Sequence, residues 1–169
     1  MKAQIAQANH LDPVEHEMTV PLYRTDTRRP SQIFQQGFLP RGNSLNIEAH
    51  THASISDAGP SHFVSTTLDS DAALNHGFDV SNEQGASVHY VYKLSRRVPG
   101  INVTETATAN NRTLTLGGDP EAEVLIPGGV NQQFIKTAWQ IARDACAVQK
   151  FKNSNYAGSD KDVSDDEIE

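Results

Sequence analysis

The chain has a single cysteine, Cys146, among 169 residues. It cannot form an internal disulfide, so the fold must assemble without oxidative help. No apolar run approaches the ~20 residues that a helical membrane span needs. The opening MKAQIAQANH lacks both an apolar segment and a small-residue cleavage site, so no secretory signal peptide is expected. Leucine, isoleucine, valine and phenylalanine supply 37 positions, a modest share that leaves much of the chain for loops and surface. Neither G-x-x-x-x-G-K-[ST] nor G-x-G-x-x-G occurs, so no phosphate-cradling glycine loop is expected. Basic charge is scarce as well. Of the net −7, residues 152–169 carry −4 and the remainder only −3. A body so near neutrality suggests neither a phosphate-tracking nucleic-acid binder nor a basic membrane-surface module.

What remains is the length of one globular domain. We expect an N-terminal extension over 1–19, a folded body over 20–151, and an acidic, disordered tail over 152–169. Within the body, Val20 to Arg24 reads as a short strand. A two-turn helix follows, with Pro30 in its first turn and Gly37 closing it. Residues 40–61 form a long polar stretch with a helical turn at Leu45 to His50, and loops of this length usually cover a site. His62 to Thr67 is a strand, and Asp69 to His76 a helix stopped by Gly77. Val88 to Leu94, dense in β-branched and aromatic residues, is the clearest strand in the chain. Ile101 to Thr108 alternates as a strand would, and Glu121 to Ile126 is a strand between turns. Gln132 to Val148 fits a strand followed by a helix, and periodicity alone does not decide it. Without regular alternation of strands and helices, the pattern is α+β.

Several residues are chemically suggestive, and each has an ordinary explanation. Arg24 ends an apolar strand, where an arginine is usually a surface ion-pair partner. Ser65, Thr66 and Thr67 offer three hydroxyls, which β-propensity and a helix N-cap would also explain. Glu121 and Glu123 share one strand face, because side chains repeat with period two. Two such carboxylates repel unless they meet a cation or work as a pair with separated pKa values. His50 and His52 have a zinc-like spacing without the further ligands such a site needs, so no metal is expected. Cys146, in an alanine-rich stretch, reads as a small buried side chain.

In order, Arg24, Ser65-Thr66-Thr67 and Glu121-x-Glu123 resemble the R / S-T-S / E-x-E signature of mono-ADP-ribosyltransferase toxins. The likeness is to the catalytic chains of the cholera toxin and heat-labile enterotoxin type. Leu22 to Pro30, Gly37 to Gly42 (GFLPRG), Asn46 to His50 (NIEAH), Tyr90 to Tyr92 and Glu121 to Gly129 continue it in the same order. The third hydroxyl is Thr67 where that family often has serine.

The resemblance implies a split mixed β-sandwich around an NAD cleft, with short flanking helices and no metal. It implies NAD as substrate, with Arg24, Thr25, Asp26, Ser65, Thr66 and His50 as cofactor-binding residues. Glu123 would stabilise the oxocarbenium ion as nicotinamide leaves, Ser65 would orient it, and Glu121 would handle the acceptor. In that family a glutamate at the position of Glu121 accompanies arginine acceptors, and a glutamine accompanies asparagine or nucleic-acid bases. The implied setting is a secreted or injected toxin or effector, delivered with a larger toxin or secretion system and acting on a target-cell protein in the cytoplasm. The alternatives are an NAD glycohydrolase, a nucleic-acid or other non-arginine acceptor, or a non-catalytic relative that binds a partner. Phe78 is read as packing beneath its helix.

Overall fold

The computed structural model describes residues 1–51, 59–112, 122–142 and 147–158. Their elements run α1 (Lys2–Asn9), β1 (Leu22–Asp26), α2 (Pro30–Gln36), α3 (Ile47–Thr51), β2 (Phe63–Thr67), α4 (Ser70–Gln84) and β3 (Val88–Leu94). Then come β4 (Ile101–Asn102), α5 (Val103–Ala109), β5 (Glu123–Pro127), a 3-10 turn (Gln132–Phe134), β6 (Ile135–Ala142) and β7 (Ala147–Lys152). The strands form one seven-stranded sheet in the order β4-β5-β2-β1-β3-β6-β7. The fold is α+β, and each pair of neighbouring strands is antiparallel.

The sheet is divided where β1 meets β2. That pair is joined at one position, Tyr23 opposite Thr67, whereas β1 runs beside β3 over its full length and β2 beside β5 over its own. The result is two half-sheets, β4-β5-β2 and β1-β3-β6-β7, that part on either side of that contact. Two of the three hydrophobic clusters each serve one half. Ile5, Leu11, Ile47, Phe63, Ile101, Val103 and Leu125 cluster under the smaller half. Ala73, Val91, Trp139 and Ile141 pack with Leu74 and Phe78 where α4 lies on the larger half. A third cluster spans both halves: Val64, Val124 and Ile126 join Leu22, Tyr92 and Ile135, with Ile33 of α2 and Phe38. Strand β3 is therefore covered on both faces, which explains why its β-branched and aromatic residues do not alternate with polar ones, His89 and Lys93 being buried with them.

Helix α2 starts on Pro30, and its chain leaves through Gly37 at φ +73°. A Cβ there would lie 2.1 Å from Val130 O, so glycine serves both the backbone angle and the bridge between Phe38 and Val130. Helix α3 is held at both ends of its approach. Asn9 Nδ2 donates to Leu45 O at 2.7 Å, Asn9 Oδ1 accepts from Ile47 N at 2.8 Å, and Asn46 Oδ1 accepts from Ala49 N. The segment before β1 thus contributes a packed helix that anchors the element carrying His50. At the other end, the expected boundary at 151/152 falls inside β7. Asn153 is buried, with Nδ2 bonded to Ile135 O and Gln132 O, while 159–169 lie outside the described residues.

Three expectations from the sequence are corrected. Gly77 does not stop a helix: α4 continues through it to Gly85, whose φ of +64° closes the last turn. Gly77 is there for close approach, because a Cβ would sit 2.3 Å from the ring of His89. Ile101 to Thr108 is a two-residue strand and then a helix. Asn102 Oδ1 accepts from Glu105 N at 3.0 Å, and Val103, Thr106 and Ala107 put the buried face at helical spacing. Over so few residues that spacing is hard to tell from alternation. Gln132 to Val148 opens on the 3-10 turn and contains no α-helix among its described residues: β6 is buried on both faces, which erases its period, and it pairs with β7. Phe78 packs edge-on against His89 with ring centroids 5.0 Å apart.

Candidate active site

Alternation along β1 puts Arg24 and Asp26 on one face and Thr25 on the other. Arg24 Nη1 donates to Ser65 O at 2.7 Å, so a side chain bridges the two half-sheets where their ladder has only one rung. The guanidinium stacks over Phe38, 5.1 Å from the ring centre, and Arg28 lies over the same ring at 5.8 Å. Phe38 is in turn held edge-on by Tyr92 at 5.1 Å.

The acid beside Arg24 is already engaged. Arg28 Nε and Nη2 donate to Asp26 at 2.9 and 2.6 Å, and Arg28 N adds a third bond. Burial alone would raise the Asp26 pKa, but the bonds from Arg28 and the charge of Arg24 outweigh it and hold the carboxyl below its usual range. Arg24 is left with a longer contact to Asp26, 3.7 Å. Burial lowers its pKa, Asp26 opposes this, and the charges of Arg28 and Arg41 lower it further. Its Nε is buried without a partner among the described residues. A forked cation with a spare donor and two cationic neighbours is built to receive an anion with several oxygens.

On the opposite half-sheet, Ser65 joins two further groups. Its Oγ lies 2.7 Å from His50 Nε2, and its side chain acts to lower the Glu123 pKa. The other ring nitrogen of His50 is 2.7 Å from Ser61 Oγ, and the ring meets Phe63 at 5.7 Å. Burial, followed by the charges of Arg24 and Arg41, drives the His50 pKa down to about 4. The imidazole is neutral near neutral pH and carries one ring proton. Glu123 opens β5 opposite Thr67. Burial raises its pKa, and the bond from Ser65 works against that shift.

Arg24, His50, Ser65 and Glu123 are therefore brought together from β1, α3, β2 and β5. Thr25 and Thr66 are not: the Thr25 hydroxyl donates to Ala73 O, fastening α4 to β1, and Thr66 Oγ1 donates to Val124 O at 2.7 Å. Both hydroxyls serve the scaffold, so any contact of these residues with a ligand in the cleft falls to their backbone. Asp26 acts through Arg28. Glu121, His52 and Cys146 lie outside the described residues. Sequence reasoning assigned no role to Arg28, Phe38, Arg41 or Ser61. The GFLPRG run contained Phe38 and Arg41, and D-x-R spacing was the available signal for Arg28. Nothing in the sequence marked Ser61.

Among the described residues no three or more His, Cys, Asp or Glu side chains group as metal ligands, and no described helix is long and apolar enough to cross a membrane. A surface cavity of about 700 Å³, lined by residues including Phe34, Tyr90, Gln140 and Phe151, shares none with this cluster. Hydrogen bonding and charge place the candidate chemistry at the split in the sheet instead.

A family profile described as Scabin-like matches residues 22–156. Among solved structures, the scabin toxin from Streptomyces scabies in complex with NADH aligns with TM-score 0.67 at 24% identity, over 91% of this chain and 86% of that one. A guanine-specific ADP-ribosyltransferase with NADH and GDP aligns with TM-score 0.67 at 22% identity, over 91% and 88% respectively. At these identities the likeness is one of fold. No curated protein matches.

Proposed function

The chain belongs to the Scabin-like family, and we propose that it transfers ADP-ribose from NAD to an acceptor, releasing nicotinamide. The observation that carries this reading is the single cluster at the sheet split. There Ser65 receives Arg24 on its carbonyl, meets His50 through its hydroxyl and acts on the pKa of Glu123. The two structural neighbours described with NADH bound support it.

The bond to be broken joins ribose C1′ to the nicotinamide nitrogen, and its electron pair leaves with nicotinamide. Positive charge then spreads over C1′ and the ring oxygen. Glu123, ionised, accepts a hydrogen bond from the ribose 2′-OH and stabilises that charge as it appears. Its raised pKa means that activity falls on the acid side. Arg24 binds the diphosphate with its forked donors, and Arg41 adds a second positive charge nearby. Neutral His50 holds Ser65 in place without adding a competing cation. The acceptor is then handled by Glu121, and its carboxylate favours an arginine side chain of a target protein. We propose that the chain acts in a target-cell cytoplasm as a toxin or effector delivered with a larger toxin or secretion system. A second acceptor, guanine, is favoured by one neighbour, which is described as guanine-specific and was solved with GDP.

The test is nicotinamide release and label transfer from tagged NAD with lysate protein, a small guanidine compound or GDP as acceptor. Glu123→Gln should lower release by roughly 10²–10³-fold, as removal of one transition-state contact does. Glu121→Gln should abolish transfer to guanidine while sparing hydrolysis. Labelled GDP with unlabelled protein would replace arginine by guanine as acceptor. Turnover indifferent to every acceptor would make the enzyme a glycohydrolase. No turnover under any condition would leave a binding protein on this fold.

A further inference from the structure

We propose that Ser61 is a positioning residue: its hydroxyl fixes the tautomer of His50 and thereby aims the hydroxyl proton of Ser65 at Glu123. The inference rests on the NAD-cleaving reading for its kinetic consequence but not for its geometry.

Ser61 is 8% exposed and sits two residues before β2. Its Oγ accepts from Phe63 N at 3.0 Å and lies 2.7 Å from His50 Nδ1. Among the described residues these are the partners that its hydroxyl has. With the Phe63 amide already donating to the oxygen, the single hydroxyl proton has one place to go, His50 Nδ1. A neutral imidazole that accepts at Nδ1 must carry its proton on Nε2. That proton points at Ser65 Oγ, 2.7 Å away. Ser65 then accepts from His50 and keeps its own proton for Glu123. Each link fixes the polarity of the next, so a backbone amide at Phe63 sets the direction of a hydrogen bond to a carboxylate three groups away.

The reversed chain is worse at both ends. If His50 Nδ1 were the donor, Ser61 Oγ would accept two bonds and its buried proton would be unmet. Ser65 would turn its proton toward His50 Nε2, and Glu123, already partly desolvated, would lose its donor. The charged and titratable groups around the relay do not supply a substitute. Arg24 and Asp26 come from β1, Arg41 from the loop after α2, His76 from α4 and Glu123 from β5. Arg24 and Arg41 oppose protonation of His50, and Asp26 is held by Arg28. Backbone contacts of Ser61, such as Gly42 N to Ser61 O at 2.8 Å, do not involve the side chain, so a serine is required here for its hydroxyl.

The experiment uses the full chain and has two readouts. Nitrogen-15 NMR of the histidine rings reports the tautomer: His50 should be protonated at Nε2 in the wild type and shift toward Nδ1–H in Ser61→Ala, with Ser61→Thr keeping the wild-type form. The pH profile of nicotinamide release reports Glu123. In Ser61→Ala its acid limb should move to higher pH, because the bond that holds the Glu123 pKa down is weakened, and kcat should fall roughly tenfold, as loss of one net hydrogen bond implies. KM for NAD should change less than about threefold, since Arg24 is untouched. In a Ser65→Ala background Ser61→Ala should cost nothing further, because its route is gone. A wild-type His50 protonated at Nδ1 overturns the proposal outright, even if Ser61→Ala does not fold. So does an unmoved acid limb or an undiminished loss in the Ser65→Ala background. A chain with no NAD turnover would refute the NAD-cleaving reading, while the tautomer would still decide the relay.

Discussion

Gly77→Ala turns the correction to α4 into a number. In an exposed helix interior this change stabilises by about 1 kcal/mol, because alanine loses less backbone freedom than glycine. Here the new Cβ would lie 2.3 Å from both Cδ2 and Nε2 of His89, about 1.1 Å short of where ordinary contact begins at 3.4 Å. The ring cannot swing clear easily. His89 is fully buried, its Nδ1 is 3.1 Å from Ser81 Oγ on the same helix, and Phe78 closes it edge-on. Relief must come from moving α4 off β3, and overpacking of this kind costs about 1–3 kcal/mol. A clash with two atoms of a fixed ring belongs at the upper end, which leaves a net loss of about 2 kcal/mol. For a chain of this size that is a fall in Tm of roughly 4–8 °C.

Thermal and urea unfolding followed by circular dichroism would measure it. The decisive arm is the same substitution in a His89→Ala background, where the obstacle is gone and Gly77→Ala should stabilise by up to about 1 kcal/mol. The sign should reverse. Because the Thr25 hydroxyl ties Ala73 of α4 to the strand that carries Arg24, the single variant should also raise KM for NAD. A Tm that rises in the wild-type background, or falls equally in both backgrounds, would refute the close-approach explanation.

Two further outcomes are expected. Arg24→Lys keeps the charge but loses the fork that reaches Ser65 O and the plane that stacks on Phe38. KM for NAD should rise roughly 10–100-fold, each tenfold step being about 1.4 kcal/mol; a lysine variant with wild-type KM would argue against bidentate anion binding. His50, with its pKa near 4, should stay mostly neutral in an NMR titration from pH 8 to 5. Because its folded pKa lies below the unfolded value of about 6.5, the stability owed to its neutral form is present above that value and is lost as pH falls from there toward 4. A ring that titrates near 6.5 in the folded protein would contradict the burial and the facing arginines.

The sequence was legible where local chemistry and tertiary demand agreed. Val88–Leu94 was read to the residue because a strand covered on both faces favours β-branched and aromatic side chains, here Val88, Tyr90, Val91 and Tyr92. Pro30 and Gly37 bracketed α2 because each answers a backbone requirement that a sequence displays. Gly77 misled because the same residue type also serves close packing, and the reason, His89, lies on another element. Helix α1 escaped notice because Ile5 is its one buried residue, and one apolar position makes no period. For the site, the order of Arg24, Ser65 and Glu123 along the chain was visible, but their meeting depends on β1 and β2 being neighbours. The roles of Ser61 and Arg41 belong to that third dimension, as does the diversion of the Thr25 and Thr66 hydroxyls into the scaffold.

The division between β1 and β2 also explains why this cluster forms where it does. In a continuous ladder the facing backbone groups of two strands satisfy each other and leave no room for a ligand. Here the strands share one rung, and the carbonyl of Ser65 takes its hydrogen bond from a guanidinium instead of from a neighbouring amide. The gap admits side chains from both half-sheets: a cation whose nearest acid is bound elsewhere, and a carboxylate lifted in pKa by burial. Each is costly to the fold by itself. Together they have opposite charge and no direct ion pair between them among the described contacts, which is an arrangement that a substrate with an anionic diphosphate and a developing cation can complete at both ends. The rigid clusters on either side bear that cost. Cores anchored by Ile5, Phe63 and Leu125 on one half and by Val91, Trp139 and Ile141 on the other brace each strand from its own side, and a third cluster, with Val64 and Val124 beside Leu22 and Tyr92, joins the halves. Substitutions in these clusters should therefore reach substrate affinity only where, as with α4 and Thr25, a hydrogen bond ties the packing to a cleft strand.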